Sequence, residues 1–488
     1  MKKIGIGIAT LWMGCCSINA QTLTLTNAIK IAQENSLDAQ IVRFSFMSKY
    51  WQYRSFKAQL KPSVNLGGTL GNFNHSVVEA RDPETGRVNQ VNNNTMTNSL
   101  TLSIDQSIAA TGGMVSLQSY LYRLDQFDYK EKTYNSQPLR ISYTQSLRSF
   151  NALKWDKKTA PVEYQIAERN YISALQDVTI RVTSLFFHVL AVQSDYKQSL
   201  ATVEDRERLY ELSKSRLNLT TTTKSEVLQM ELSLLNARMA VKKNKISLDE
   251  AMYDLFSYLR LTDYEHAELM PPYTIPNILI NADDVLQKAI NNSSHSLDQR
   301  LQLLEAQKNL AQARSNKGVQ VTLSSEIGFS QTGKTMRTAY SRLKDNEIIG
   351  VSLSLPIFDW GVSKGRVKMA QAQLDVVKTQ MEQNHLDYMQ NLRKKVMQFN
   401  VQPTQCRDAY RAQEIAVERY EITRKRYETG AISVTELNTA QQEMESAKAQ
   451  YIAQLSSFWN DYYVLQQATL YDWQNKSDLK VDFECLIK

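Results

Sequence analysis

With 488 residues, 42% of them hydrophobic, the chain has room for two or three ordinary domains or for one elongated body. Only 16 Gly and 9 Pro interrupt it, which favours long helices over many short elements. The 57 basic and 50 acidic residues leave a net charge of +7, but the two signs are intermixed along the helices, so no nucleic-acid footprint is read.

Met1 to Ala20 has the build of a secretory signal. Lys2 and Lys3 form a basic start, Ile4 to Met13 an apolar core, and Ser17-Ile18-Asn19-Ala20 a small-residue exit, so a mature chain is expected to begin near Gln21. Cys15 raises the rival reading of a lipoprotein signal, against which Trp12 counts. No later run approaches the roughly 18 apolar residues of a membrane-spanning helix, so strands would have to make any crossing. Cys15 and Cys16 would leave with the signal; Cys406 and Cys485 do not make a disulfide framework.

Thr26 to about Leu60 reads as helix, with Asn27 as a cap and Ala28, Ile29, Ala32, Leu37 and Ile41 near helical spacing. A second copy begins near Asp283: Ile29 matches Leu286, Ala32 matches Ala289 and Asn35 matches Asn292, an offset of 257 residues. The same offset pairs Val64 with Val321, Leu66 with Leu323 and Gly71 with Gly328. Those segments are strands by alternation, as in Val319, Val321, Leu323, Ile327 and Phe329, and a further strand follows in Ile349, Val351, Leu353, Leu355 and Ile357.

The strongest repeat comes later. Tyr210 to Leu255 aligns without a gap on Tyr420 to Leu465 at an offset of 210, pairing Arg216 with Arg426, Glu226 with Glu436 and Tyr253 with Tyr463. Each copy is a striped helix, a short polar break and a second striped helix. The whole chain is therefore read as a tandem duplication in which each half runs helix, strand, strand, long helix, turn, helix. The offsets of 257 and 210 differ by 47 residues, which assigns the first half an insertion. It carries an Asn-rich loop over Asn89 to Asn94, the alternating run Leu100, Leu102, Ile104, an Ala-Thr-Gly-Gly turn ending at Gly113, and a run through Val115, Leu117 and Leu121. That is a hairpin added between two strands.

Val367, Ala370, Leu374, Val377, Met381, Tyr388, Leu392, Val396 and Phe399 follow at coiled-coil spacing. A helix from Gly365 to Glu428 would extend about 95 Å, with one bend allowed near Pro403. Short alternating strands, long coiled-coil hairpins and a secretory signal point to a strand-built pore on a helical stalk. Too few strands are present to close alone, so other subunits are expected to complete the barrel.

The order of elements resembles the TolC-like outer-membrane efflux protein family over essentially the whole mature chain. Two motifs carry the likeness: Gly350 to Gly361 (GVSLSLPIFDWG), similar to the family's strand-to-helix junction, and Tyr427 to Leu437 (YETGAISVTEL), similar to its periplasmic hairpin tip. The resemblance implies a mixed α/β membrane protein, a tandem-duplicated, trimeric outer-membrane β-barrel continued by a long α-helical coiled-coil tunnel into the periplasm. On that reading 1–20 is the signal peptide, 21–270 the first repeat with an inserted β-hairpin at about 80–130, 271–475 the second repeat and 476–488 a C-terminal periplasmic tail. The implied activity is that of a passive channel in a tripartite efflux or type I secretion system. Its implied partners are a homotrimer's other copies, outer-membrane lipid, a periplasmic adaptor and an inner-membrane RND, ABC or MFS transporter.

Glu436 and Glu226 stand just after the two tips, where the resemblance implies an acidic tunnel entrance; threefold symmetry would gather six carboxylates there. A bland alternative is a carboxylate in a first helical turn that complements the dipole. Tyr427, Arg426 and Arg216, with Arg424 and Lys214, lie just before the tips and are candidates for closing the gate, against a solvated-face reading. The exposed turns, Thr220 and Thr221 in the first copy and Thr429, Gly430 and Ala431 in the second, are the expected adaptor contacts. Thr220 stands where the second copy has Gly430, so the first turn is expected to be built differently. The inserted hairpin either adds two membrane strands or rises above the barrel as a cap. His75, His188, His266, His295 and His385 lack metal-ligand spacing, and no catalytic or cofactor motif is found. A secreted coiled-coil scaffold or adhesin without a pore is the rival reading.

Overall fold

The computed structural model describes residues 23–81, 84–219, 222–262, 268–272, 274–276 and 278–487. The signal segment, with Cys15 and Cys16, lies outside them, as do Thr220 and Thr221. The first half runs β1 (Leu23–Thr24), α1 (Leu25–Asn35), α2 (Leu37–Gln59), β2 (Ser63–Arg81), β3 (Val88–Ile108), β4 (Gly113–Gln126), β5 (Glu131–Ser146), α3 (Ala152–Asn218) and α4 (Lys224–Leu259). The second runs β6 (Leu269–Met270), α5 (Ala282–Asn292), α6 (His295–Lys317), β7 (Gln320–Gly333), α7 (Met336–Ala339), β8 (Lys344–Ser354), α8 (Val362–Glu428) and α9 (Val434–Thr469). Then come β9 (Tyr471–Asp472), β10 (Ser477–Asp478) and α10 (Phe483–Ile487).

Element lengths repeat to the residue. α1 and α5 have 11 residues each, α2 and α6 23, α3 and α8 67, α4 and α9 36. Both long helices continue through a proline, Pro161 in α3 and Pro403 in α8, each of which gives up one backbone donor.

The chain divides into two compact units. Among the described residues, the helical unit comprises 23–45, 169–293 and 387–487, and the sheet unit 46–168 and 294–386. In the helical unit, coiled-coil stripes supply three clusters. Val182, Phe186, Leu255 and Leu259 form one with α1, Phe399, Phe458 and Leu465 form another with α5, and Leu209, Met230, Leu437 and Met444 form the third near the helical turns. Burying each such side chain contributes about 1.5–3 kcal/mol. One stretch of α3 reaches the length and composition of a membrane span, which the sequence reading did not identify. It scatters polar residues such as Gln176 and Arg181 among its apolar ones, half of it is buried, and its Phe186, Phe187 and Val189 pack into the first cluster.

The sheet unit is built on six strands in the order β2-β3-β4-β5-β7-β8, every neighbouring pair antiparallel. The Asn-rich segment expected as a loop is strand instead: Asn92, Asn93 and Asn94 of β3 pair with Val77, Ser76 and His75 of β2. Two long partners in register hold these asparagines extended despite their low strand propensity, since ladder hydrogen bonds outweigh it. Among the described residues no closed barrel is formed, because β2 and β8 each have one unpaired edge.

The sheet is inverted relative to one in water. In its inner strands Leu100, Leu102, Ile141 and Ile327 are exposed, whereas Ser116, Asp125, Ser136 and Gln145 are buried.

Candidate functional site

The last turn of α3 and the end of α8, which lead into the two helical turns, lie in the helical unit and touch each other. α8 ends in a Schellman turn. Gly430, at φ +83°, donates its N–H to the Tyr427 carbonyl at 2.9 Å, and Ala431 donates to the Arg426 carbonyl at 3.0 Å. Glycine is needed because an L side chain is strained at that φ. Thr429 closes the same turn, its N–H donating to the Lys425 carbonyl at 3.1 Å and its hydroxyl to the Arg426 carbonyl at 2.9 Å.

Arg216, from the last turn of α3, fastens this end. Its guanidinium donates to the Tyr427 carbonyl through both Nη1 and Nη2 at 3.1 Å and to the Glu428 carbonyl at 2.5 Å, and it lies 5.7 Å from the Tyr427 ring centre. A cation thus sits on the negative end of the α8 dipole and on carbonyls that the helix itself leaves unpaired. Tyr427 is 5% exposed, and its hydroxyl shares a 3.1 Å hydrogen bond with the buried Ser213 of α3. Sequence reading placed Tyr427 and Arg216 beside the turns; it missed Ser213, whose only signal is a small polar residue in an apolar stripe.

Both following helices begin alike. Thr223 accepts the Glu226 N–H and Ser433 accepts the Glu436 N–H, each at 3.3 Å. The sequences Thr223-x-x-Glu226 and Ser433-x-x-Glu436 have the spacing of a capping box, a signal the sequence reading passed over. The carboxylates then diverge. Glu226 is half-buried and accepts a hydrogen bond from the Thr222 hydroxyl. Glu436 is exposed, its nearest cation Arg426 at 3.9 Å with both side chains more than half accessible. An exposed pair of that kind contributes under about 1 kcal/mol. Arg424 turns inward, 3.4 Å from Asp205 of α3, whereas Lys214 pairs at 3.0 Å with Glu211 on its own helix.

Behind the turns, α3, α4 and α9 enclose a polar cavity of about 450 Å³ lined by Thr202, Arg206, Asn236, Asn438, Gln441 and Lys448 among others. Arg206 is buried and donates to Gln441, which donates in turn to Thr202 at 3.2 Å and Glu445 at 2.8 Å. Burial lowers the pKa values of Arg206 and Lys448 from the ordinary range. It raises that of the Asp195 carboxyl, helped by Glu445. Tyr420, whose hydroxyl donates to Asp205 at 3.1 Å, is pushed up to about 12 by burial and then by that carboxylate. In the sheet unit, His295 and His385, read as scattered, stack with ring centres 6.5 Å apart, but no group of three metal-ligating side chains occurs among the described residues.

The arrangement holds two helix ends together and leaves Glu436 exposed at the surface beside Arg426. Residues 285–469 match the family described as outer membrane efflux protein. No curated protein matches the sequence. Among solved structures, the CmeC outer membrane channel of Campylobacter jejuni superposes with a TM-score of 0.66 at 14% identity, covering 95% of this chain and 88% of that one. VceC of Vibrio cholerae gives 0.62 at 14% identity with 93% and 97% covered, and the open-state MtrE channel of Neisseria gonorrhoeae gives 0.59 at 14% with 94% and 91%. Residues 285–469 are thus similar in sequence to outer membrane efflux proteins, and nearly the whole chain shares the fold of these structures. That family consists of transport proteins rather than enzymes, located in the outer membrane and extending into the periplasm.

Proposed function

We propose that this chain, whose residues 285–469 are similar in sequence to outer membrane efflux proteins, is a passive outer-membrane channel. Three copies close a barrel in the membrane and continue it as a helical tunnel, and cargo is delivered by an inner-membrane RND, ABC or MFS pump through a periplasmic adaptor. The channel has no energy source of its own, so the pump supplies it.

The observation that carries this reading is the inverted sheet. A surface of exposed Leu, Ile and Val bearing unpaired edges is unfavourable in water, and in lipid its edges must be paired by other strands. The family match over residues 285–469 supports the same conclusion independently.

At the helical turns, Glu436 and Glu226 form an acidic entrance that attracts cations, and Arg216 and Tyr427 hold the paired helix ends while Arg426 faces Glu436. The exposed turn residues Thr429, Gly430 and Ala431 meet the adaptor, together with Thr220 and Thr221 of the first turn.

Single-channel conductance in planar bilayers tests the proposal, with wild type compared against Glu436→Ala and Glu226→Ala. Cation-selective currents that lose selectivity in the variants are expected. A pore indifferent to both substitutions removes the acidic entrance from the proposal, and folded protein without conductance returns the scaffold reading.

A further inference from the structure

We infer that the inserted hairpin β3–β4 consists of full membrane staves, so that each copy brings six strands to the barrel and three copies close an eighteen-stranded wall rather than a twelve-stranded one under a cap. The inference rests on the trimeric channel proposed above.

Three observations carry it. First, β3 and β4 lie inside the sheet, between β2 and β5, and at 21 and 14 residues each exceeds the roughly 9–11 residues a tilted strand needs to cross a bilayer. Second, their connecting turn is at the helix end of the sheet. Asn151, immediately before α3, donates through Nδ2 to the Ala109 and Ala110 carbonyls at 3.0 and 3.5 Å, and Gln106 donates to the Leu60 carbonyl just after α2 at 3.1 Å. A cap raised above the barrel would have both its strands beyond the far ends of β2 and β5. These two start level with their neighbours.

Third, both faces of the sheet run through the inserted strands without a break. On one face Val64, Ile104, Leu117, Ile141 and Ile327 are successive cross-strand partners from β2 to β7, and of these Val64, Ile104, Ile141 and Ile327 are exposed. On the other face one hydrogen-bond chain crosses the same five strands. Asn65 donates to Asp105 at 3.0 Å, Ser116 bonds the same carboxylate, Gln118 donates to Ser116 at 2.9 Å, Arg140 bonds Gln118, and Arg140 pairs with Glu326 at 3.3 Å. Apolar-out and polar-in alternation is the pattern of a membrane barrel, and a water-exposed cap has no need of it.

The occupant of each free edge is a second copy of this chain. Five antiparallel pairings leave β2 and β8 running in opposite directions, so β8 of one copy meets β2 of the next antiparallel, and the ring closes with no edge left in lipid. Barrel diameter grows roughly in proportion to strand number, and about 16–18 strands leave an aqueous channel. Such a wall is too wide to select cargo, which leaves selection to the helical turns.

The test is nitroxide labelling of single cysteines, in a Cys485→Ser background, on the trimer in phosphatidylcholine–phosphatidylglycerol vesicles; Cys406 is buried and does not compete. Labels at Leu102→Cys and Leu117→Cys report the apolar face of the inserted strands, Ser103→Cys and Tyr120→Cys the polar face, and Ile141→Cys and Ile327→Cys strands common to both architectures. The expected result is that Leu102 and Leu117 labels collide preferentially with dissolved oxygen, as Ile141 and Ile327 labels do, while Ser103 and Tyr120 labels prefer a water-soluble nickel chelate. If all four inserted-strand labels prefer nickel while Ile141 and Ile327 labels prefer oxygen, the hairpin is a cap; the inference fails and the channel stands. If Ile141 and Ile327 labels also prefer nickel, the membrane barrel fails and takes the inference with it.

Discussion

The two helical turns descend from one repeated sequence and are held in different ways. In the second copy Tyr420 and Tyr427 are buried, Arg424 reaches across to Asp205, and Gly430 closes a Schellman turn. In the first copy Tyr210 carries Lys214 on its ring at 4.3 Å, Lys214 pairs within its own helix, and Arg216 is given over to the carbonyls of the other copy. The carboxylates follow the same division, Glu226 held by Thr222 and Glu436 exposed in a long pair with Arg426. The two copies therefore meet through unequal contacts. One supplies the clasp and the other the surface that is clasped.

The comparison breaks first at the clasp. Arg216→Ala removes the charge-assisted bonds to the Tyr427 and Glu428 carbonyls, and about 2 kcal/mol of local stability is expected to go with them, read as faster amide hydrogen exchange at the end of α8. Arg426→Ala, the equivalent residue, is expected to change exchange little, since its pair with Glu436 is long and exposed. Gly430→Thr gives the second turn the first turn's residue. Holding Thr at φ +83° costs about 1–2 kcal/mol, which differential scanning fluorimetry should register as a lower Tm. Unchanged melting would mean that the turn relaxes to another form.

Tyr427→Phe removes one buried hydrogen bond at a cost of about 1 kcal/mol, softened because Ser213 retains its bond to the Leu209 carbonyl at 2.9 Å. Smaller still, Glu226→Ala is expected to lower stability by a few tenths of a kcal/mol more than Glu436→Ala, because only Glu226 accepts a side-chain hydrogen bond in addition to facing the helix dipole. Equal losses would put the two carboxylates back on the same footing. The smallest effect at neutral pH belongs to Tyr420. Its folded pKa of about 12 lies above the ordinary 10, so its contribution is intact below pH 10 and falls as pH rises from 10 towards 12, where the unfolded phenol ionises first. Tyr420→Phe should remove that part of the alkaline loss of stability.

Much of this was legible beforehand because it is local. Period-two and coiled-coil spacings need only neighbouring residues, so element types and their order could be read from Val321 to Phe329 and from Val367 to Phe399, and the repeat placed both turns. The Asn-rich strand was misread because its stability comes from β2, which local propensity does not contain. The Ser213 contact was missed because its partner lies 214 residues away.

By itself the sequence determined the periodicities and the need for glycine at 430, since each is a property of neighbouring residues, and it displayed the internal repeat on which the duplication is read. Only the tertiary structure decided that the inserted strands run through the middle of the sheet, that the polar face is the shielded one, and that Arg216 caps a helix from the other half. Those depend on which distant surfaces meet, and that is set by burial and hydrogen-bond satisfaction over the whole fold rather than by any one segment.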